Sequence, residues 1–382
     1  MKNNFVRKLA FVLALTLSVG ATPSTIANAS SVYPDFYAEK AIVKEGETKK
    51  YATYDNSAWS FYKVTSAEED IVTSKVSRKG KCIKITGVKA GKTQVHAYFK
   101  NYKTKEEYTN SLNVTVKKDV VKEAATNYFA NYVDRKRQVA DVFKLIDEKA
   151  DIVIIDIRSA EDYAKGHLKG AVNIPYAKIA ENLTIIPDDV PVYVNCYSGQ
   201  TASQTIALLA VAGKDAYNIQ GGWNNGISKA ENYENYIDAV AVSLPTKKYA
   251  VNTAIQTAIT KYYADAAASA SGNFNFPVAD LAKLVEAGDD TYTIVDIRSA
   301  EDYAKGHIES AKINVPFPNA MPAGFANIPT DKPVIVQCYS GQTASQTVAI
   351  LRLLGYEAYN LSGGMNNGWL ANELPLIPSA TE

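Results

Sequence analysis

Cys196-Tyr-Ser-Gly-Gln-Thr-Ala-Ser-Gln-Thr205 recurs letter for letter from Cys338 to Thr347. Upstream, Asp156-Ile-Arg-Ser-Ala-Glu-Asp-Tyr-Ala-Lys-Gly-His167 recurs from Asp296 to His307. The offsets are 142 and 140 residues. A period of that length marks duplicated domains rather than a solenoid of short repeats. Flanking matches widen the unit: Val139-Ala-Asp resembles Val278-Ala-Asp, and Tyr217-Asn-Ile-Gln-Gly-Gly222 resembles Tyr359-Asn-Leu-Ser-Gly-Gly364. The copies are placed at 119–245 and 246–382.

Within each copy short β-branched runs alternate with helical patterns. Ile152–Ile155, Val192–Val194, Tyr292–Val295 and Val334–Val336 are unbroken apolar runs, as expected of strands covered on both faces. Helices are expected over Ala202–Ala212 and Ala344–Leu354, closed by Gly213 and Gly355. Strand and helix alternating on this scale predict an α/β domain, a parallel sheet with helices on both faces.

The cysteines carry the chemistry. Each follows a buried strand and opens a Gly- and hydroxyl-rich loop that runs into a helix. A helix start offers free N–H groups and a partial positive charge, both of which favour thiolate over thiol. Gly199 and Gly341 let successive N–H groups converge into an anion-binding nest. A nucleophilic sulfur on the floor of such a nest can attack a sulfur or phosphorus centre. An inert buried cysteine would not require the same ten residues around it twice.

Asp-Ile-Arg, Asp-Tyr-x-x-Gly-His, Asn173-Ile-Pro175 or Asn314-Val-Pro316, and Cys-x-x-Gly-x-Thr-Ala together resemble the rhodanese family. The resemblance covers both copies and implies sulfurtransfer through cysteine persulfides, with Cys196 and Cys338 as carriers and no cofactor or metal. It implies a small sulfur donor and a thiol or cyanide acceptor as partners. It further implies that the backbone N–H groups of Tyr197, Ser198, Gly199, Gln200, Thr201 and Ala202 form one substrate cradle. Those of Tyr339, Ser340, Gly341, Gln342, Thr343 and Ala344 form the other. Ser198 and Ser340 match a serine that assists in mercaptopyruvate-using members. Three departures stand out: both cysteines are kept, Tyr197 and Ser198 are neutral where basic residues are usual, and Asp162 and Asp302 replace an Arg. The lost basic residues, with the net −9 of residues 119–382 (21 against 30), point away from thiosulfate and mercaptopyruvate as preferred donors.

Arg158 and Arg298 have two open roles, steering an anionic donor or pairing structurally with Asp156 and Asp296. His167 and His307 are expected to hydrogen-bond within a turn. Cys82 shares a face with Lys84, which suggests an incidental outward thiol.

The front of the chain differs. It is rich in Thr, Val, Tyr and Lys, with turn signals every eight to twelve residues, and predicts a small all-β sandwich over 30–118. Ile83-Lys-Ile-Thr-Gly-Val-Lys-Ala-Gly91 and Thr93-Gln-Val95 resemble the bacterial Ig-like domains of surface proteins. The overall fold class is thus multidomain, an Ig-like sandwich followed by two α/β rhodanese-like domains. Residues 30–118 carry 17 Lys+Arg against 10 Asp+Glu, whereas 119–382 carry 21 against 30. A basic front on an acidic body suits an anionic cell envelope as partner. No nucleic-acid-binding motif is present.

Lys2, Arg7 and Lys8 precede an apolar run, Leu9–Val19, and then Ala27-Asn28-Ala29, the three-part pattern of a signal peptide at 1–29. No later run reaches the roughly 20 residues of a membrane span. The expected location is secreted or at the cell surface. Three cysteines spread over separate regions do not make a disulfide framework.

Two other functions compete. A rhodanese-fold phosphatase needs a cysteine loop closing on an Arg, which Thr201-Ala202-Ser203 lacks. A surface binding or adhesion module with relic cysteines would give no reason for two intact loops.

Overall fold

The structure is a computed structural model that describes residues 33–52, 58–77 and 82–379. The expected signal peptide lies outside the described residues. The chain divides into two compact units at Asp119/Val120.

Among the described residues the first unit holds seven strands: β1 (Lys40–Lys44), β2 (Thr48–Ala52), β3 (Trp59–Ser66), β4 (Val72–Val76), β5 (Cys82–Gly87), β6 (Gly91–Asn101) and β7 (Glu107–Lys117). They form a four-stranded sheet, β1-β7-β6-β3, and a three-stranded sheet, β2-β5-β4. Period-two patterning is clear in β6, where Thr93, Val95, Ala97 and Phe99 are buried between more exposed neighbours. With Trp59, Val72, Ile83, Ile85, Leu112, Val114 and Val116 they make one core drawn from both sheets. Cys82 is half-buried and stands on the side of β5 opposite Ile83 and Ile85.

The second unit opens with α1 (Val120–Ala130), followed by β8 (Lys136–Arg137), α2 (Val139–Asp147), β9 (Val153–Asp156), α3 (Ala160–Lys165), β10 (His167–Leu168), β11 (Val172–Asn173), α4 (Ile179–Asn182), β12 (Val192–Asn195), α5 (Gln200–Val211), β13 (Ala216–Ile219) and β14 (Ile237–Asp238). The second copy contains α6 (Thr253–Ala268), β15 (Asn275–Phe276), α7 (Val278–Glu286), β16 (Thr293–Asp296), α8 (Ala300–Lys305), β17 (Ile313–Asn314), β18 (Val334–Gln337), α9 (Gln342–Leu353) and β19 (Ala358–Leu361). Each copy has a five-stranded parallel sheet, in the orders β11-β9-β12-β13-β8 and β17-β16-β18-β19-β15. All four central strands are the expected apolar runs, shifted by at most one residue.

The two copies do not keep separate cores. One continuous cluster joins Ile155, Val194, Ile206 and Leu209 of the first to Ile259, Val336, Val348 and Leu351 of the second. The outer face of each sheet has its own smaller cluster, around Phe143 and Ile227 in one copy and Leu281 and Trp369 in the other. The pair of modules expected from the repeat is thus one compact body. Helices α5 and α9, which follow the two cysteines, lie inside the shared core, so even their polar residues Ser203, Gln204, Thr205, Ser345, Gln346 and Thr347 are buried. Tyr128 of α1 donates to Gln346 Oε1 at 2.8 Å, and Tyr262 of α6 donates to Gln204 Oε1 at 3.1 Å. Both bonds tie one copy to the other inside a core where an unpaired polar group is costly.

Candidate active site: two cysteine cradles

Strand β12 ends at Asn195 and α5 starts at Gln200, so the sulfur and its loop sit at the carboxyl end of a parallel sheet, where open α/β folds place ligands. Gly199 makes the tight entry to the helix with φ +80°, a left-handed conformation that suits glycine. The loop curls around Cys196 Sγ. Gly199 N–H donates to it at 3.1 Å and Ala202 N–H at 3.3 Å. The second copy repeats this geometry: Gly341 has φ +79°, and Gly341 and Ala344 donate to Cys338 Sγ at 3.1 and 3.3 Å. Both cysteines are buried. Two N–H donors at the start of a twelve-residue helix stabilise negative charge on sulfur.

The glycine pair after β13 backs the loop. Trp223 N–H donates to the Cys196 carbonyl at 2.7 Å and Asn224 N–H to that of Tyr197 at 2.8 Å. In the second copy Met365 and Asn366 make the same bonds to Cys338 and Tyr339, both at 2.7 Å. Gly222 has φ +62°, and a Cβ there would stand 2.6 Å from both the Cys196 carbonyl oxygen and the Gly199 nitrogen. No larger residue fits without moving the cradle.

The other predicted residues take distinct places. Ser198 and Ser340 line one cleft of about 300 Å³ together with Gln200, Asn225, Ser362 and Asn367. The cleft therefore lies between the two copies. Gln200 and Gln342 each donate through Nε2 to the serine of their own loop, at 3.1 and 3.3 Å, and send Oε1 into the opposite copy. Thr201 and Thr343 are the second residues of α5 and α9.

Tyr197 and Tyr339 are exposed at the mouth, their phenols donating to Asp162 at 2.5 Å and Asp302 at 2.6 Å. Those bonds lower the pKa of both carboxyls, with help from Lys165 or Lys305, and bring Asp162 to about 2. The aspartates had stood out only as departures from the family pattern. The Cys-Tyr pairing and the preceding Ser-x-x-Asp were the signals that could have joined them to the tyrosines.

Of the two roles open to Arg158 and Arg298, the geometry supports the structural one. Arg158 is buried and grips the Asp156 carboxylate through Nε and a terminal nitrogen, the shortest contact 2.6 Å, and also donates to the Gly166 carbonyl at 2.7 Å. Arg298 does the same with Asp296 and Gly306. Their charge is matched by a carboxylate two residues away. Arg158 also lies flat over Trp223, 3.8 Å from its ring centroid. His167 Nδ1 meets the Tyr163 carbonyl at 2.8 Å, and its ring stacks on Tyr163. It secures the turn after α3.

The structure thus builds one arrangement twice in one body, a parallel sheet presenting a buried cysteine in an N–H cradle. The Rhodanese-like domain family matches residues 139–229 and 277–371, and the chain belongs to that family. The thiosulfate sulfurtransferase GlpE of Pseudoalteromonas translucida is 33% identical over 86 residues, 22% of this chain and 81% of that protein. The GlpE of Pseudomonas fluorescens is 36% identical over 72 residues, 19% of this chain and 66% of that protein. A crystal structure of a rhodanese-like domain protein from Staphylococcus aureus aligns at 25% identity with a TM-score of 0.23, over 24% of this chain and 89% of that one.

Proposed function

We propose that the protein is an exported sulfurtransferase in which Cys196 and Cys338 each carry a persulfide. The carrying observation is the pair of N–H bonds to each sulfur. Relatives named thiosulfate sulfurtransferases support the reaction class. The thiolate attacks the outer sulfur of a sulfane donor, an S–S bond to the cysteine sulfur forms, and the donor leaves with the electron pair of the broken bond. An acceptor thiolate then attacks the outer sulfur of the persulfide, and the cysteine thiolate departs. The cradle holds negative charge on the enzyme sulfur at the start and end of the cycle.

Export rests on the leader pattern at 1–29. Among the described residues no helix is long and apolar enough to cross a membrane. The sandwich, read as Ig-like, holds the protein at an anionic envelope through its excess of lysines.

The test is intact mass after exposure to a panel of sulfane donors, counting sulfur atoms added. The wild type should take up two. Cys196→Ser and Cys338→Ser should take up one each, and the double variant none, because Cys82 lies in a β-strand without a helix-start cradle. No uptake by the wild type from any donor would overturn the assignment. A single variant losing all uptake would show a relay rather than two independent carriers.

A further inference from the structure

Gln200 sits at the start of the first cysteine's helix, yet its Oε1 accepts from Gly363 N–H at 3.0 Å and Asn360 Nδ2 at 2.8 Å, both in the second copy. Gln342 reciprocates, accepting from Asn218 Nδ2 at 2.8 Å and, more loosely, from Gly221 N–H at 3.4 Å. All four side chains are buried. The partners are the ends of the glycine turns that back the cradles. Gly221 precedes Gly222, which packs on the Cys196 loop, and Gly363 precedes Gly364, where an added Cβ would stand 2.5 Å from Gly341 nitrogen and 2.6 Å from the Cys338 carbonyl. The loops themselves nearly touch across the interface: a Cβ on Gly199 would stand 2.7 Å from Gln342 Oε1, and one on Gly341 2.5 Å from Gln200 Oε1.

We propose that Gln200 and Gln342 are crossed positioning residues, each fixing the glycine turn that shapes the cradle of the other copy's cysteine. The inference deepens the sulfurtransfer reading and rests on it for its biological use. Its geometric content concerns thiol reactivity alone. A buried carbonyl oxygen that accepts two hydrogen bonds holds its donors in register, and removing it leaves the glycine N–H unpaired in the core, while the Asn218 or Asn360 amide keeps only its other acceptor, Ser203 Oγ or Asn275 Oδ1. The glycine turn then loses its anchor, and with it the amides that tie the Cys196 or Cys338 carbonyl.

The test uses the full chain with Gln342→Met or Gln200→Met, which keep side-chain length and volume but remove the acceptor. Two rates are followed at each cysteine by peptide mass: sulfur uptake from thiosulfate and alkylation by iodoacetamide across pH. With Gln342→Met the Cys196 rates should fall roughly tenfold and the Cys338 rates by less than about twofold, and Gln200→Met should do the reverse. Gln342→Glu, which retains an oxygen acceptor at the same reach, should restore most of the Cys196 rate. Loss confined to the cysteine of the mutated copy, equal loss at both, or no loss would overturn the proposal. Should one methionine variant fail to fold, its mirror carries the same test, because the crossed pattern is required of each. If the wild type alkylates at both cysteines and takes up sulfur from thiosulfate and from no other donor of the panel, the sulfurtransfer reading holds; if it takes up sulfur from none of them, that reading fails, while the alkylation pattern still decides the positioning roles.

Discussion

The phenol of Tyr197 donates to the carboxylate of Asp162 at 2.5 Å, so the residue next to Cys196 holds a carboxylate beside its own loop. Tyr339 and Asp302 repeat the pair at 2.6 Å. Two N–H groups face each sulfur, and the nearby Asp162 and Asp302, each paired with a lysine, add a carboxylate that we expect to oppose an incoming dianion.

Asp162→Asn should therefore raise the rate of sulfur uptake from thiosulfate at Cys196 several-fold at low salt, with little change for a neutral donor, since salt screens the field of an exposed charge. Uptake kinetics against ionic strength measure this, and an equal gain for both donors would contradict it. The pH behaviour follows from the lowered pKa of Asp162. The group stays ionised down to about 2, chiefly because Tyr197 donates to it, so the repulsion should persist unchanged from neutral pH to about pH 4. In Tyr197→Phe the carboxyl should titrate nearer the ordinary carboxylate range, and the repulsion should begin to relax as pH falls towards about 4. Carboxyl chemical shifts of Asp162 followed by NMR provide the direct check.

Gly222→Ala should damage the first cradle and spare the second. The left-handed φ costs about 1–3 kcal/mol for a residue with a side chain, and the backbone contacts at 2.6 Å force the loop to move as well. Sulfur uptake at Cys196 should fall by roughly tenfold or more, because a reacting group displaced by a fraction of an ångström loses much of its rate. Cys338 should be little affected. Gly170→Ala supplies the control, because Gly170 has φ +77° with open space around its added Cβ. It should lower the unfolding midpoint without touching uptake. Equal uptake by both variants would show that the close approach at Gly222 is not needed.

Retention of the full chain on vesicles rich in anionic lipid should be strong at low salt and fall steeply towards about 0.15 M and above, where the screening length is about 8 Å. Replacing Lys49, Lys50, Lys75 and Lys84, which lie on the paired strands β2, β4 and β5, by Gln should weaken it. Salt-independent retention, or retention unchanged in that variant, would rule out an electrostatic hold by this sheet.

Much of this protein was legible in the chain because its signals are local. An exact duplication, unbroken apolar runs and a glycine turn into a helix need no knowledge of distant residues, and they led to both parallel sheets and both cysteine loops. The Thr-, Val- and Tyr-rich front with its regular turn signals likewise pointed to strands. Helices Val120–Ala130 and Thr253–Ala268 were not anticipated, since alanine, threonine and tyrosine blur their buried stripe, although Asn252 caps the second by accepting from Ala254 and Ile255 N–H. The Asp156–Arg158 pair stood as one of two readings, and the fold favoured it by burying both groups where only a matched charge is tolerated. What no local pattern contained was the docking of one copy on the other. Gln200 reaches Gly363 across 163 residues and Gln342 reaches Gly221 across 121, contacts that depend on how two apolar faces pack rather than on any spacing along the chain. Residue identity supplied each cysteine with its cradle; only the shared core brought the two cradles within hydrogen-bonding reach of each other.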